Sequence, residues 1–421
     1  MGACSRASRI PGSPMSTELC DTPAREFPAQ QTSPTQPAFW GGVFAMTICV
    51  FALIASEFMP VSLLTPMATD FHVTEGLAGR GIAISGAFAV LTSLFISSVA
   101  GSMNRKTLLL TLTVLMALSG AVIAVAPNYV TYMVGRALIG VVVGGFWSMS
   151  AATAMRLVPA ADVPRALAIF NSGNALATVI AAPLGSYLGS VIGWRGAFFS
   201  LVPIALIALV WQWKSLPEMP VNARRAQSVR IFSLFRRRIV TLGMLASGMF
   251  FMGQFALFTY VRPFLETVTR VDVSTLSLIL LVIGITGFIG TALIGGVLKR
   301  SFYPTLIAIP VLMAAVAAAL MIVGDRTTAV VVLLGSWGLL ATAAPVGWWG
   351  WVARTFPDNA EAGGGLLVAI VQLAIASGST GGGLLFDSHG YRGTFLASVV
   401  LLLIAAFLTF LTSRSDTASA S

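Results

Sequence analysis

Two charged side chains lie inside long apolar stretches of this chain, and both could do chemistry there. Glu57 is the single charged residue between Phe39 and Thr69, and Arg136 interrupts another apolar run. A charge at the centre of a bilayer costs about 3 kcal/mol on insertion scales, so such residues usually face a protein interior or an aqueous cavity. A carboxyl group held in such a position could bind and release a proton, and an arginine could supply a fixed positive charge.

The composition indicates which elements hold these residues. The 421-residue chain is 57% hydrophobic and only 10% charged, with a mean hydropathy of +0.89, whereas soluble domains carry roughly 25% charged residues. A membrane-spanning helix needs about 20 apolar residues. The sequence contains twelve apolar stretches of about this length, which predicts an all-α integral membrane protein with twelve transmembrane helices. The spans are predicted near 40–65, 79–100, 107–126, 129–152, 166–188, 196–213, 240–262, 276–298, 303–323, 328–351, 364–386 and 394–412.

The net charge of +10 is explained by membrane topology, so nucleic acid is not an expected partner. With a cytoplasmic N-terminus, eighteen of the 25 Lys and Arg residues fall in cytoplasmic segments and six in outer loops. Such an excess follows the positive-inside rule. An even number of spans then places both termini in the cytoplasm.

The chain repeats itself at an offset near 197 residues. The sequence GWRGAF at 193–198 matches GYRGTF at 390–395, and Glu57 falls on Gln254. Six spans in each copy give two halves with the same orientation in the membrane. The predicted segments are a disordered cytoplasmic extension (1–38), an N-terminal six-helix bundle (39–213), a basic cytoplasmic linker (214–239), a C-terminal six-helix bundle (240–413) and a cytoplasmic tail (414–421). Translation could start at Met1 or Met15.

Short motifs resemble those of the major facilitator superfamily. The segment 101–106 (GSMNRK) is similar to its Gly-x-x-x-Asp-Arg signature, with Asn104 in place of the Asp, and Arg136 with its following glycines resembles the motif associated with proton coupling. The segment 173–185 is similar to the antiporter signature, with Ala182 where glycine is usual. The resemblance implies the 6+6 pseudo-twofold fold, with gating by Gly101, Asn104, Arg105, Lys106, Pro183 and Gly185.

Longer stretches are more specific. The segments 57–67 (EFMPVSLLTPM) and 144–159 (GGFWSMSAATAMRLVP) look like the purine ribonucleoside efflux pump branch of the drug:proton antiporter-1 group. The similarity covers about residues 39–412. It implies export of nucleosides such as inosine and guanosine in exchange for protons, whereas composition and spacing alone imply only a solute carrier.

Glu57 and Arg136 are predicted to lie at the same depth. Glu57 precedes Leu64 by seven residues and Arg136 follows Tyr129 by seven, which places each about 10 Å from the outer interface. The family's first and fourth spans line its central cavity, so we expect Arg136 to stabilise the ionised Glu57 carboxylate and protonation to loosen the pair. The alternative is a static ion pair that orients the helices.

Amide and aromatic side chains are the candidates for substrate binding. Amides near mid-membrane could hydrogen-bond a base edge or ribose, or could join helices. Aromatic rings could stack on a purine, although many aromatics face lipid or the interface. The candidates are Gln254, Asn174, Gln372, Phe146, Trp147, Phe258, Tyr260 and Trp348. Tyr260 and Arg262 could also form an exit vestibule or act as interface anchors.

The resulting hypothesis is a secondary transporter of the bacterial inner membrane that exports purine nucleosides by proton antiport. It would act as a monomer with no cofactor and no metal, because the proton gradient supplies the energy. An enzyme would need more ionisable groups in the spans than Glu57 and Arg136. The alternatives are a same-fold exporter of sugars or amphipathic drugs, and a membrane nucleoside sensor that does not transport.

Overall fold

The computed structural model describes residues 38–99, 103–159, 162–219, 237–356 and 360–420. These residues form helices joined by short connections. Three of the predicted features, namely the extension before Ala38, Gly101 and residues 220–236 of the linker, lie outside the described residues.

The N-terminal part of the described chain contains seven helices. They are α1 (Trp40–Phe71), α2 (Glu75–Val99), α3 (Arg105–Ala124), α4 (Tyr129–Trp147), α5 (Ser150–Arg156), α6 (Val163–Phe199) and α7 (Leu201–Ser215). Helices dominate because a helix satisfies its own backbone hydrogen bonds, which lipid cannot do. Asn104 and Asn128 begin α3 and α4 by accepting backbone N–H groups of the first turn.

The C-terminal part repeats this arrangement. Its helices are α8 (Arg238–Phe258), α9 (Val261–Phe264), α10 (Val273–Arg300), α11 (Phe302–Val323), α12 (Thr327–Thr355) and α13 (Ala360–Ala420), with a π-helical turn at Leu265–Thr269 between α9 and α10. The last helix continues through residues 414–420 of the predicted tail.

Two helical segments cross the membrane twice. Ten segments among the described residues are long and apolar enough to span, but Arg165–Ser215 and Gly363–Asp416 have 51 and 54 residues. Each is interrupted by a glycine with positive φ, at 75° for Gly193 and 65° for Gly390, which are equivalent positions of the repeat. Glycine adopts this left-handed conformation without the steric cost that a Cβ brings. Dividing both segments gives twelve spans, and the predicted fold is confirmed.

The two halves contact each other at one end of the bundle. We call this end, where α1 ends, α2 begins and the chain turns at Gly390, the Asp387 face, and the opposite end the Asn104 face. Asp387 accepts hydrogen bonds from Thr74 Oγ1 at 2.6 Å and from the Gly76 backbone N–H at 3.0 Å. The carboxylate of one half thus caps the first turn of α2 in the other half, and the bundle is closed at this face.

Candidate functional site

Glu57 lies in the buried middle of α1 and contacts the other half of the protein. Its side chain is 7% exposed. Its Oε1 atom accepts a hydrogen bond of 3.1 Å from Nε2 of Gln372 on α13. The carboxylate therefore joins the two halves near mid-membrane.

Arg136 is fully buried on α4 and binds backbone carbonyls of two neighbouring helices. Its Nη1 donates to the Ser56 carbonyl at 2.8 Å and its Nε to the Gly81 carbonyl at 3.0 Å. Its Nη2 donates to Ser85 Oγ at 3.1 Å and to the backbone carbonyl of Glu57 at 3.4 Å. Arg136 thereby ties α4 to α1 and α2.

The direct ion pair expected between Glu57 and Arg136 is not formed. The two residues are neighbours, as their matching depth predicted, but the guanidinium binds the Glu57 backbone and the carboxylate binds Gln372. The physical reason lies in Pro60, which is inside α1 and has no N–H. The Ser56 carbonyl four residues earlier therefore lacks a helical donor, and Arg136 supplies one. The proton-coupling role of the two residues stays a prediction.

The candidate amides differ in how they are satisfied. Gln372 is engaged by Glu57. Gln254 is half-buried, and its Oε1 has no hydrogen-bond partner among the described residues. Asn174 is half-buried on α6, and within the described chain its side chain forms no hydrogen bond. A buried acceptor without a donor costs free energy, and Gln254 Oε1 is such an acceptor.

Three of the predicted aromatic residues have almost no exposed surface in this conformation, so their contact with a substrate stays a prediction. Phe146 is 0% exposed and stacks on Phe170 at 6.4 Å. Trp348 is 2% exposed, with Trp351 at 5.9 Å. Tyr260 is 0% exposed and donates its hydroxyl to the Ser379 carbonyl at 2.7 Å. Phe146 is occupied by packing within its own half, whereas Tyr260 packs against Leu64, Ala68 and Ala78 of the other half.

Phe258 and Trp147 remain partly exposed and keep the predicted role available. Phe258 packs edge-on against Phe255 at 6.1 Å. Phe255 in turn stacks on Phe58 across the halves, with the ring centroids 5.8 Å apart and 24° between the planes. The repeat already aligned Phe58 with Phe255, but the sequence alone did not show that the two rings meet beside Glu57.

The gating candidates hold elements within one half. Asn104 Oδ1 accepts the backbone N–H groups of Lys106 at 3.0 Å and Met219 at 3.1 Å, and its Nδ2 donates to Glu218. Arg105 donates its backbone N–H to the Met219 carbonyl. These bonds fasten the start of α3 to the segment after α7, so the Asn104 face holds a clamp inside the N-terminal half.

Gly185 and Pro183 lie on α6 where it meets α1. A Cβ at Gly185 would lie 2.7 Å from Ser62 Oγ, so glycine permits this close approach. Ser186, the next residue, accepts a 3.0 Å hydrogen bond from Ser277 of α10 in the other half. This segment of α6 therefore contacts α1 on one side and the opposite half on the other.

Comparison with known proteins identifies relatives of this chain. A profile described as Major Facilitator Superfamily matches residues 46–366. The chain is 66% identical over 404 residues to a Pseudomonas aeruginosa protein named transcription regulatory protein OpdE, covering 95% of this chain and 99% of that protein. It is 40% identical over 369 residues to a Salmonella enteritidis protein named purine ribonucleoside efflux pump NepI, covering 88% and 93%.

Two solved structures share the fold. A bacterial homologue of the human lysosomal transporter Spinster, in an inward-facing and unoccupied conformation, superposes with a TM-score of 0.74 at 16% identity over 90% of this chain and 98% of its own. A mutant of the nucleoside transporter NupG superposes with a TM-score of 0.72 at 13% identity over 89% and 98%. At these identities the likeness concerns architecture alone.

Proposed function

Because this chain belongs to the Major Facilitator Superfamily, whose members are membrane transporters rather than enzymes, we propose that it exports purine ribonucleosides in exchange for protons. The observation that carries the proposal is the buried Glu57 carboxylate, bonded at mid-membrane to Gln372 of the other half. The relative named as a purine ribonucleoside efflux pump supports the substrate class. The proton gradient is the energy source, and no cofactor is required.

The proposed orientation places the Asn104 face in the cytoplasm of a bacterial inner membrane. The excess of Lys and Arg in the loops on that side supports it. The closed Asp387 face is then the outer side. This conformation is the one that would take up a nucleoside from the cytoplasm, and the protein works as a monomer.

Glu57 is the proposed proton site. In its ionised form it accepts the amide N–H of Gln372, and the guanidinium of Arg136 beside its backbone offsets its charge. Protonation converts the group into a neutral hydrogen-bond donor and removes the charge from the interface. Alternating access follows when the two protonation states favour different arrangements of the halves.

Substrate binding is assigned to the candidate side chains that keep free hydrogen-bonding or stacking capacity. Gln254 Oε1 and the amide of Asn174 supply hydrogen bonds, and Phe258 and Trp147 supply faces for stacking. An amide presents both a donor and an acceptor, which matches the edge of a purine base. Base–aromatic stacking contributes about 1–3 kcal/mol per base in single-strand binders.

The test is flux of labelled inosine in proteoliposomes, with and without an imposed pH gradient. Wild type should accumulate inosine against its gradient when the pH gradient is present. Glu57→Gln should lose this accumulation and keep inosine exchange, whereas Glu75→Gln, the same change at the start of α2, should behave like wild type. Robust sugar or dye flux without inosine flux would contradict nucleoside export and would support a transporter of the same fold with another substrate.

A second candidate is a membrane sensor that regulates gene expression. The relative that is 66% identical and is named a transcription regulatory protein favours it. A transporter can also change expression indirectly, because export lowers the cytoplasmic concentration of a signalling solute. Inosine binding without flux would support the sensor. If Glu57→Gln lost both the inosine flux and the regulatory effect, the transporter would be supported.

A further inference from the structure

Two carbonyl groups of α1 lack helical partners because of prolines. Pro60 and Pro66 both lie inside the helix and have no N–H. The carbonyls four residues earlier, on Ser56 and Ser62, are therefore free to accept other donors. A carbonyl left unpaired in a membrane interior is costly, so each is expected to attract a donor from elsewhere.

Arginines supply both donors, but from different halves of the protein. The Ser56 carbonyl is bound by Arg136 of α4, in the same half. The Ser62 carbonyl is bound by Nη1 of Arg262, which lies on α9 in the other half. Pro60 thus fastens α1 within its own bundle, and Pro66 creates a contact point between the bundles near the Asp387 face.

Arg262 also binds a second acceptor, the carboxylate of Glu266. The Arg262 side chain is buried, at 6% exposure, and its Nε donates to Glu266 Oε1 at 2.8 Å. Glu266 Oε2 is buried and has no hydrogen-bond partner within the described part of the chain. An arginine and a carboxylate can form two parallel hydrogen bonds, and one of these two positions is empty.

We infer that Arg262 is a latch that exchanges the Ser62 carbonyl for Glu266 Oε2 when the Asp387 face opens. The inference rests on the proposed alternating-access transport. With the face closed, the guanidinium spans Ser62 and Glu266 and holds the halves together. When α1 and α9 separate, the guanidinium turns onto both oxygens of Glu266, so the buried charge never loses its partners.

The exchange predicts opposite effects for substitution of the donor, Arg262, and of the acceptor Glu266. Arg262→Gln removes the charged donor and should favour the open face. Glu266→Gln removes the carboxylate that stabilises the released arginine and should favour the closed face. A static ion pair would instead give the same direction of change in both variants, because each would simply lose one interaction.

The experiment measures the distance between spin labels at the Asp387 face in lipid nanodiscs without substrate. Val125→Cys and Thr328→Cys place exposed labels on the two halves. Cys4 and Cys20 are replaced by Ser, and Cys49 is fully buried. We expect the ratio of open to closed populations to rise about tenfold in Arg262→Gln and to fall about tenfold in Glu266→Gln, the size of one charged hydrogen bond.

Pro66→Ala gives an independent variant with little change in volume. It restores an N–H that can bind the Ser62 carbonyl within α1, so the latch should weaken and the open population should rise. Pro310→Ala is the matched control, because Pro310 lies inside α11 within the C-terminal half. That control should leave the label distances unchanged.

The spin-label outcomes test the latch independently of the inosine flux measurement. Opposite shifts in Arg262→Gln and Glu266→Gln support it even if no inosine flux is found. Shifts in the same direction, or no shift in properly folded variants, overturn it even if proton-driven flux is robust. If either variant does not fold, an unchanged population in Pro66→Ala overturns it.

Discussion

Gln372 donates the hydrogen bond that Glu57 accepts, and the two residues belong to different halves of the molecule. A buried carboxylate that bonded only within its own half would respond to protonation locally. Because its partner lies in the other half, a proton that bound to Glu57 would alter a bond between the two halves. Under the proposed proton antiport, this bond would connect the carboxylate directly to the rearrangement of the halves.

Replacing Gln372 with Ala should weaken proton-driven transport without abolishing substrate exchange. The change leaves the ionised Glu57 carboxylate without its amide donor, and a hydrogen bond to a charged group contributes about 1.5–3 kcal/mol. We expect inosine accumulation driven by a pH gradient to fall roughly tenfold or more in proteoliposomes. Leu373→Ala, a change at the neighbouring exposed residue, serves as control. Unchanged accumulation in Gln372→Ala would contradict the role given to this bond.

Arg136 should be required for stability in a way that a lysine cannot replace. Its guanidinium donates to acceptors on α1 and α2 from three nitrogen atoms, whereas a lysine has one nitrogen. Removing part of a buried charged network costs about 3 kcal/mol. Arg136→Lys should therefore lower the thermal unfolding midpoint in detergent by several degrees, while Arg392→Lys, at an exposed arginine, should not. Equal midpoints for wild type and Arg136→Lys would rule out this network as a main stabilising element.

The sequence predicted the helices and the depth of the charged residues because helix geometry is regular. A fixed rise per residue converts spacing into depth, and Glu57 and Arg136 are indeed neighbours. Sequence spacing does not specify which acceptor a guanidinium selects. Pro60 was visible in the sequence, but the donor for the carbonyl that it frees is set by the packing of α1 against α4.

The aromatic contacts were harder to predict for a related reason. In a soluble helix the apolar side marks the core, but in a membrane helix the lipid-facing side is also apolar. Nothing in the pattern distinguished Phe146, which is fully buried, from Trp147, which is partly exposed. Arg262 was expected in an exit vestibule or as an interface anchor, and in the structure its side chain is buried and binds the Ser62 carbonyl of the other half.

Asp387 should hold the Asp387 face closed. It caps the first turn of α2 from the other half by accepting from Thr74 and Gly76, and loss of a helix cap costs about 1 kcal/mol. Asp387→Ala should raise the ratio of open to closed populations about fivefold, as measured with spin labels across this face. The matched control is Asp272→Ala, since Asp272 caps α10 within its own half. If both variants raised the open population equally, the effect would come from the loss of a helix cap in general and not from the contact between the halves.

Gly284 is the position where a single methyl group should separate the halves. It lies on α10, and a Cβ there would fall 2.7 Å from the Cα and 2.8 Å from the carbonyl oxygen of Val179 on α6. Backbone atoms cannot rotate away, so Gly284→Ala must push α10 from α6 across the interface. We expect the open population to rise in the spin-label measurement. Gly295→Ala on the same helix is the control, because a Cβ there meets nothing within 4 Å and alanine favours helix by about 1 kcal/mol. A closed population in Gly284→Ala as large as in Gly295→Ala would show that α6 and α10 do not limit opening.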